Sequence, residues 1–361
     1  MVLLAEPTTV AQRAAAVKQA ARELGFTAAG ITTADAFDAP RARLARWISQ
    51  GRHGEMAYLE QFAERHARFR TAFPDARSVI VVAAGYHAET EQDPSPRAGP
   101  VGRIARYAAG RDYHKVLRAR LKALARVVRG LAEGPVAVRW CVDTAPLHER
   151  SLAEAAGLGF IGKNTCLILP RGGSWVVLGV LATDLELAED APATHTCGAC
   201  TRCLDACPTG ALTAPYEMDA RRCIAYLTLE HRGPLPEPLR PAVGTWLAGC
   251  DICQEVCPYN AKPAPASWPA LTPAAGAGET LPLADLLACR DPQAFETRFA
   301  GTALMRPKYQ GLVRNAALAA GNARAHELLA PLQARMQDPD PVIRDAAAWA
   351  VTRITAETPG D

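Results

Sequence analysis

The residues with the clearest chemistry in this sequence are eight cysteines between positions 197 and 257. A first run, Cys-x2-Cys-x2-Cys-x3-Cys-Pro, consists of Cys197, Cys200, Cys203, Cys207 and Pro208. A second run, Cys-x2-Cys-x3-Cys-Pro, consists of Cys250, Cys253, Cys257 and Pro258, and Cys223 lies between the two. In bacterial two-cluster ferredoxins, the first three thiolates of such a run hold one [4Fe–4S] cluster and the fourth ligates the other. The spacing therefore predicts two [4Fe–4S] clusters.

The ferredoxin crossover also divides the ligands between the clusters. We assign one cluster to Cys197, Cys200, Cys203 and Cys257, and the other to Cys207, Cys223, Cys250 and Cys253. Zinc is the alternative because it also binds Cys-x2-Cys pairs, but tetrahedral zinc sites poorly explain the continuous first run. We interpret the three remaining cysteines as ordinary core residues: Cys141, Cys166 and Cys289.

Length and composition indicate a globular protein of several domains. The chain has 361 residues, 49% hydrophobic and 21% charged, which suits two or three domains. No apolar run approaches the roughly 18 residues of a membrane span. The N-terminus lacks the basic, apolar and twin-arginine features of an export signal. We therefore expect a cytoplasmic protein whose cysteines bind metal rather than form disulfides.

Positive charge is concentrated in two stretches. Residues 97–129 contain ten Lys or Arg and one acid, Asp112. Residues 298–326 contain five Lys or Arg and no acid, although the net charge of the chain is only +3. A solvated helix face would explain either stretch alone. The two together favour a polyanionic partner, with nucleic acid as the first candidate.

Hydrophobic periodicity predicts alternating helices and strands before the cysteines. We expect helices at 8–24, 41–50, 111–132 and 147–156, strands at 26–31, 78–84, 136–142, 167–169 and 174–183, and a surface loop at 91–100. This alternation up to about residue 190 indicates an α/β domain.

Three polar motifs in this domain have ordinary explanations. Gly157-x-Gly159-x-x-Gly162 lies between a helix and a strand, which is the reverse of the dinucleotide-binding order. Asp112-x-His114 resembles the start of a cobalamin-binding motif, but Leu117 stands where glycine is expected, so we do not interpret His114 as an axial ligand. Asp143 follows a predicted strand and, taken alone, is explained equally well as a helix N-cap.

Together, these features resemble epoxyqueuosine reductases over nearly the whole chain. The resemblance rests on the double cysteine run and on three segments: 106–114 (RYAAGRDYH), 142–150 (VDTAPLHER) and 159–164 (GFIGKN). It implies an α+β/α-β multidomain protein with three parts: a cobalamin-binding α/β domain of the reductive-dehalogenase and nitroreductase type (1–190), a ferredoxin-like domain with two [4Fe–4S] clusters (191–265), and an all-α, HEAT-like domain (281–361). The implied activity is reduction of epoxyqueuosine to queuosine at the wobble position of a tRNA anticodon.

The resemblance also implies site residues. It places cobalamin near Arg106, Asp143, Lys163 and Asn164, with Met56 and Tyr58 as weaker candidates. Removing an epoxide oxygen requires electrons, which cobalamin and the clusters would supply, and a proton donor. Asp143 is the expected donor, and burial against the corrin would raise its pKa.

The C-terminal segment has features of a helical repeat. Segments 312–322 (LVRNAALAAGN) and 341–351 (PVIRDAAAWAV) are self-similar, and a Pro-, Ala- and Gly-rich linker at 262–280 precedes them. One pair of helices must pack on the preceding domain. We expect the basic residues of this region to contact tRNA phosphates: Arg298, Arg306, Lys308, Arg314 and Arg324.

Other classes of protein explain only part of the sequence. A plain two-cluster electron carrier leaves the first 190 residues unexplained, and a tRNA-binding adaptor leaves the clusters without a role. A reductive dehalogenase of this type usually carries a twin-arginine signal. We therefore expect a monomeric enzyme that takes electrons from an external low-potential donor and binds tRNA.

Overall fold

The structure, a computed structural model, describes residues 9–33, 41–61, 64–65, 73–89, 99–143, 145 and 147–356. Most of the predicted loop at 91–100, and Arg97 with it, lies outside the described residues. The helices are α1 (Val10–Glu23), α2 (Arg41–Ser49), α3 (Arg106–Ala109), α4 (Tyr113–Arg129), α5 (Glu149–Ala155), α6 (Arg202–Asp205), α7 (Ile224–Leu229), α8 (Arg240–Val243), α9 (Ile252–Glu255), α10 (Leu283–Ala288), α11 (Pro292–Phe299), α12 (Lys308–Asn322), α13 (Leu329–Arg335) and α14 (Pro341–Thr355). None of them is long and apolar enough to cross a membrane.

The strands form one four-stranded sheet and several smaller ones. They are β1 (Ala28–Thr33), β2 (Ser78–Gly85), β3 (Val101–Ile104), β4 (Val138–Cys141), β5 (Phe160–Ile161), β6 (Leu167–Ile168), β7 (Val176–Thr183), β8 (Leu212–Ala214), β9 (Glu217–Met218), β10 (Trp246–Ala248) and β11 (Thr280–Pro282). The large sheet has the order β1-β2-β7-β4, and all three of its pairings are antiparallel.

Helices cover this large sheet on both faces. On β2, Ile80 and Val82 pack in one core with Leu121 of α4, whereas Val81 packs in another core with Leu152 of α5. Every residue of β2 is buried, so its sequence is a continuous apolar run of the kind typical of parallel strands. The predicted elements are confirmed to within a few residues. The α/β prediction is wrong in one respect, because the sheet is antiparallel and the unit is α+β.

Helix α4 and strand β4 carry the polar residues of the site. Leu117, Leu121 and Leu124 form the buried stripe of α4, and its charged residues lie on the opposite side. Asp112 caps the helix, since its side chain accepts a hydrogen bond from the backbone N–H of His114 at 3.0 Å. The cap holds Tyr113 and His114 in the first turn, beside the end of β4.

The cysteine region and the C-terminal region share one core. Strand β3 pairs with β10 on one side and with β11 on the other, which joins three distant parts of the chain. Residues from α7, β10, α10, α12 and α14 pack in this core. The two self-similar segments lie on α12 and α14, which pack against each other. Their classification as a HEAT-like repeat remains a prediction.

Candidate active site

Four of the eight cysteines line one cavity. The cavity has a volume of about 210 Å³, and its walls include Cys197, Cys200, Cys203 and Cys257. Burial raises the pKa of Cys203, and the neighbouring charges of Cys197 and Cys257 raise it further. The first three cysteines of the first run and the last cysteine of the second run therefore line one cavity, which is the grouping that the ferredoxin crossover predicts.

The other four cysteines lie close enough to influence one another electrostatically. Burial is the main reason that the pKa of Cys250 rises to about 12, and the charges of Cys223 and Cys207 contribute. The pKa of the Cys253 thiol is raised mainly by a hydrogen bond with Cys166, with smaller contributions from burial and from Cys223 and Cys250. The sulfur of Cys166 therefore lies beside a predicted cluster ligand, and the interpretation of Cys166 as an ordinary core residue stays a prediction.

The spacing of these thiols bears on the zinc alternative. Within the described ranges, no three His, Cys, Asp or Glu side chains come close enough together to hold a single metal ion. A tetrahedral zinc site requires four ligands converging on one atom at about 2.3 Å.

Lys163 and Asn164 line the first cysteine cavity. The Nζ atom of Lys163 donates hydrogen bonds to the carbonyls of Gly198 (2.8 Å) and Cys200 (3.0 Å). Asn164 is buried, and its side-chain amide donates to the carbonyl of Cys253 at 3.3 Å. Both side chains thus support the loops that carry cysteines.

Asp143 begins the connection between β4 and α5. Its φ of 54° places it in the left-handed region, which aspartate tolerates better than most residues. Its backbone N–H donates to Oε1 of Glu149 at 2.7 Å. The N-cap position of α5 is His148, so the interpretation of Asp143 as a helix cap is wrong.

The side chain of Asp143 faces α4. The hydroxyl of Tyr113 donates to its Oδ2 atom at 3.1 Å, and Nε2 of His114 lies 3.5 Å from the same oxygen. The hydrogen bond from His114 lowers the pKa of Asp143 below its usual value and outweighs the opposing effect of burial. The contacts of the protein itself therefore favour the ionised carboxylate of Asp143, and the rise expected from burial against a corrin stays a prediction.

Two groups beside Asp143 hold protons instead. A hydrogen bond from Nδ1 of His114 to Asp112 at 2.8 Å, together with the contact to Asp143, raises the pKa of His114 to about 9. Burial and the charge of Asp143 raise the pKa of Glu149 to about 8. At neutral pH the site therefore contains an imidazolium and a protonated glutamic acid next to an ionised aspartate.

A second wall of the site comes from distant parts of the chain. Arg306 donates to both carboxylate oxygens of Glu230, at 2.7 and 2.8 Å. Its guanidinium carbon lies 5.6 Å from the ring centre of Tyr58, and its charge helps to lower the pKa of Asp143. Tyr58 is 44% exposed, whereas Met56 is partly buried against the C-terminal core.

Arg106 occupies a separate, partly buried position near the second cysteine group. Its backbone N–H donates to Oδ2 of Asp251 at 2.7 Å, and its Nη1 donates to Glu279 at 3.2 Å. The other carboxylate oxygen of Asp251 is buried and has no hydrogen-bond partner among the described residues. Burial raises the pKa of Asp251 to about 6. A buried acceptor without a donor is costly and fits a ligand that supplies an N–H group.

Of the five residues expected to contact tRNA, Arg314 is ruled out. It is 1% exposed and donates to the carbonyls of Leu227, His231 and Gly233 at 2.7–2.8 Å. A buried guanidinium whose N–H groups donate to backbone carbonyls cannot reach a phosphate. The other four are exposed: Arg298, Arg306, Lys308 and Arg324. Arg298 and Arg306 are paired with Asp285 and Glu230.

The outer face of α4 is a separate basic surface. Arg118, Lys122 and Arg126 follow one another at helical spacing and are exposed. In the part of the chain that the structure describes, none of the three forms an ion pair, and the first two lie over the ring of Trp140 at 5.6 and 5.9 Å. We call these three residues the α4 basic face.

Sequence reasoning assigned no functional role to three residues around the site and the cysteine groups: His114, Glu149 and Cys166. His114 and Glu149 lie within segments 106–114 and 142–150, which carry the family resemblance. Their place in these segments was the signal that could have identified them. Cys166 follows Asn164 by two residues and carried no signal beyond its residue type.

Two family profiles match the chain. A profile described as "Epoxyqueuosine reductase QueG, DUF1730" matches residues 66–144, and one described as "4Fe-4S double cluster binding domain" matches residues 196–260. An epoxyqueuosine reductase from Xanthomonas campestris is 40% identical over 96% of this chain and 97% of its own length. One from Gloeobacter violaceus is 44% identical over 86% and 97%.

Solved structures are similar over the same extent. A crystal structure of epoxyqueuosine reductase with a tRNA-Tyr epoxyqueuosine-modified stem loop has a TM-score of 0.86 at 34% identity and covers 96% of this chain and 92% of that chain. A Bacillus subtilis epoxyqueuosine reductase, described with its catalytic aspartate loop swung out of the active site, has a TM-score of 0.85 at 33% identity and covers 96% and 91%.

Proposed function

The chain belongs to the epoxyqueuosine reductase family, and we propose that it reduces epoxyqueuosine to queuosine in tRNA at the site around Asp143. It is an oxidoreductase. The observation that carries this proposal is the meeting of Asp143, His114, Tyr58 and Arg306 at one exposed place in a chain that also holds a double-cluster domain. The overall reaction converts an epoxide into an alkene and water, and it consumes two electrons and two protons.

The eight cysteines would hold two [4Fe–4S] clusters. The cavity lined by Cys197, Cys200, Cys203 and Cys257 fits one cluster, and the second cysteine group fits the other. Clusters of this kind pass electrons one at a time and cover a wide range of potentials. An external low-potential donor would therefore deliver two electrons in two steps.

Cobalamin is the proposed cofactor at the site. Its periphery carries amide groups, and the buried oxygen of Asp251 that has no hydrogen-bond partner among the described residues would accept from one of them. Arg106, Tyr58 and Met56 are the further residues proposed to hold it. Bound cobalamin would supply a reducing centre for carbon that amino-acid side chains do not provide. Lys163 and Asn164 would act indirectly, through the cysteine loops that they hold.

Asp143 would deliver a proton to the oxygen that leaves the substrate. Its carboxylate is exposed enough to meet a substrate, and it lies within reach of a protonated His114. The Bacillus subtilis relative, which is described with an aspartate on its catalytic loop, supports a catalytic aspartate in this family. Arg306 and Tyr58 would form the opposite wall, and the charge of Arg306 would favour the ionised form of Asp143 between deliveries.

The α4 basic face is the surface that we propose for the tRNA backbone. Helix α4 begins with Tyr113 and His114 at the site, so its exposed cations lead away from the reacting position. Exposed cations neutralise phosphates and release counterions, which positions the RNA without reading its sequence. Lys308 and Arg324 would add contacts from the C-terminal region, and the modified base would reach Asp143 as an unstacked nucleotide.

The test is anaerobic turnover with reconstituted protein, a strong reductant and tRNA that carries epoxyqueuosine. Queuosine that forms with cobalamin and not without it would support the substrate and the cofactor together. Queuosine formed equally well without cobalamin would contradict the cofactor. Absence of product from protein with intact clusters and bound cobalamin would contradict the substrate.

A further inference from the structure

The first turn of α4 places a histidine between two carboxylates. Nδ1 of His114 donates to Oδ1 of Asp112 at 2.8 Å, and Nε2 points to Oδ2 of Asp143 at 3.5 Å. The ring of Tyr113 stacks on the imidazole with the ring centres 4.1 Å apart. The Asp112 carboxylate thus orients the imidazole ring, and the Asp143 carboxylate can accept the proton on Nε2.

We propose that His114 stores the proton that Asp143 delivers to the departing oxygen of the substrate, and that Asp112 keeps the imidazole protonated and oriented. This inference rests on the proposed function. His114 acts through Asp143 and is therefore a positioning residue. The N-terminus of α4 is the positive end of the helix dipole and so disfavours a cation at this position. The Asp112 carboxylate offsets that effect.

The charged groups around His114 are consistent with a stored proton. Asp112 lies on its own helix, and Asp143 and Glu149 belong to the connection after β4 and to α5. Arg306 and Tyr58 face Asp143 from the other wall, and Tyr107 of α3 lies against Tyr113. Two carboxylates contact the imidazole directly, whereas the cations Lys115 and Arg306 act on those carboxylates, Asp112 and Asp143. The local field therefore favours the imidazolium, and its pKa of about 9 agrees.

The proton transfer balances without any further reagent. In each delivery, the Nε2–H bond of His114 breaks and an Oδ2–H bond of Asp143 forms. Asp143 then transfers that proton to the substrate oxygen, and water returns a proton to His114. Two deliveries match the two protons of the overall reaction, and the external one-electron donor supplies the two electrons. The proton lies on His114 at rest because the imidazole is the stronger base, and Asp143 carries it only as it passes to the substrate oxygen.

The first experiment follows the imidazole itself and needs no cofactor. Histidine labelled with ¹⁵N reports the pKa of His114 by NMR in the wild type, in Asp112→Asn and in Asp291→Asn. Asp291 is a matched control because it caps α11 through the same kind of bond, to the N–H of Gln293 at 2.9 Å. We expect a wild-type pKa near 9, a fall of about 1 unit or more in Asp112→Asn, and no change in the control. A wild-type pKa at the ordinary value of 6.5 would overturn the proposal.

The second experiment measures single-turnover rates from pH 6 to about 10. The stored proton is lost as pH rises through the pKa of His114, so the wild-type rate should fall only above about pH 9. In Asp112→Asn the fall should begin at lower pH. His114→Ala should lose about 100-fold, and added imidazole should restore part of the rate. A wild type that makes queuosine alongside an unchanged His114→Ala overturns this inference alone. A wild type that makes no queuosine overturns the proposed function, and the inference with it.

Discussion

The backbone N–H of Asp143 donates to Oε1 of Glu149 at 2.7 Å, so a partly buried glutamate holds the loop that carries the exposed carboxylate. The bond ties the left-handed residue at the end of β4 to the first turn of α5. Glu149 can do this as a neutral acid, because an oxygen of a protonated carboxyl still accepts a hydrogen bond. The site therefore keeps its shape without placing two negative charges side by side.

Glu149 should make the stability of the protein depend on pH. The folded state raises the pKa of Glu149 from 4.5 to about 8, so it binds a proton that the unfolded chain has lost. Stability should therefore fall as pH rises from about 4.5 to about 8. Glu149→Gln keeps an acceptor oxygen and cannot ionise. Urea unfolding between pH 5 and about 9 should show that the free energy of unfolding of Glu149→Gln rises relative to that of the wild type as pH rises.

Glu133→Gln is the control for this measurement, because Glu133 is exposed and lies outside the site. Its unfolding curves should follow those of the wild type at every pH. Parallel pH profiles for the wild type and Glu149→Gln would refute the assignment of a neutral Glu149.

The two cysteine groups should lose their clusters independently. Cys203→Ala removes a thiol from the first cavity, and Cys207→Ala removes one from the second group. Each variant, reconstituted anaerobically, should hold about half the iron of the wild type while keeping the other cluster signal in electron paramagnetic resonance. Cys289 is the control, because its sulfur donates weakly to the carbonyl of Asp291 and is not a predicted ligand. Cys289→Ala should keep all of the wild-type iron.

A loss of all iron in Cys203→Ala but half in Cys207→Ala would contradict independent sites. Retention of full iron in both variants would contradict the ligand assignment.

Arg314 should be important for stability rather than for RNA binding. Its side chain satisfies buried carbonyls of the cysteine region, and burial lowers its pKa to about 10. Arg314→Ala leaves those carbonyls without donors and should cost about 3 kcal/mol or more in the free energy of unfolding. Arg298→Ala, on the exposed face of α11, should change it by no more than about 0.5 kcal/mol. Equal losses in both variants would contradict the buried role.

The α4 basic face should make tRNA binding depend on salt. Replacing Arg118, Lys122 and Arg126 with alanine should weaken tRNA binding and reduce the slope of log Kd against log salt by about 1 for each phosphate that the protein no longer neutralises. Filter binding at several salt concentrations measures both effects. Arg77→Ala removes an exposed cation that pairs with Glu186 at 3.4 Å, and it should leave the slope unchanged. A triple variant with the wild-type slope would show that the RNA lies elsewhere.

Much of this fold could be predicted from local patterns in the sequence. The apolar run of β2 and the stripe of Leu117, Leu121 and Leu124 locate a strand and a helix directly. Strand direction could not be predicted, because burial on both faces produces the same run in parallel and antiparallel sheets.

The candidate site was predictable in its residue types but not in its contacts. Cysteine spacing encodes the cluster groups because the ligands follow a short, fixed pattern. The contact of Asp143 with His114 and the charge of Arg306 nearby join three distant parts of the chain, and no local pattern specifies this arrangement. The lowered pKa of Asp143 depends on this arrangement, so sequence reasoning could not predict the direction of the shift. Arg314 had the charge expected of an RNA contact, and only its burial shows otherwise.

The most direct test of this account compares the wild type with Asp143→Asn in a single anaerobic turnover, with clusters and cobalamin loaded in both. Mass spectrometry of the wobble nucleoside gives the fraction of epoxyqueuosine that has been converted to queuosine. We expect conversion by the wild type and a rate at least about 100-fold lower in the variant, since the amide cannot pass on a proton. Equal conversion by both proteins would contradict the central role of Asp143.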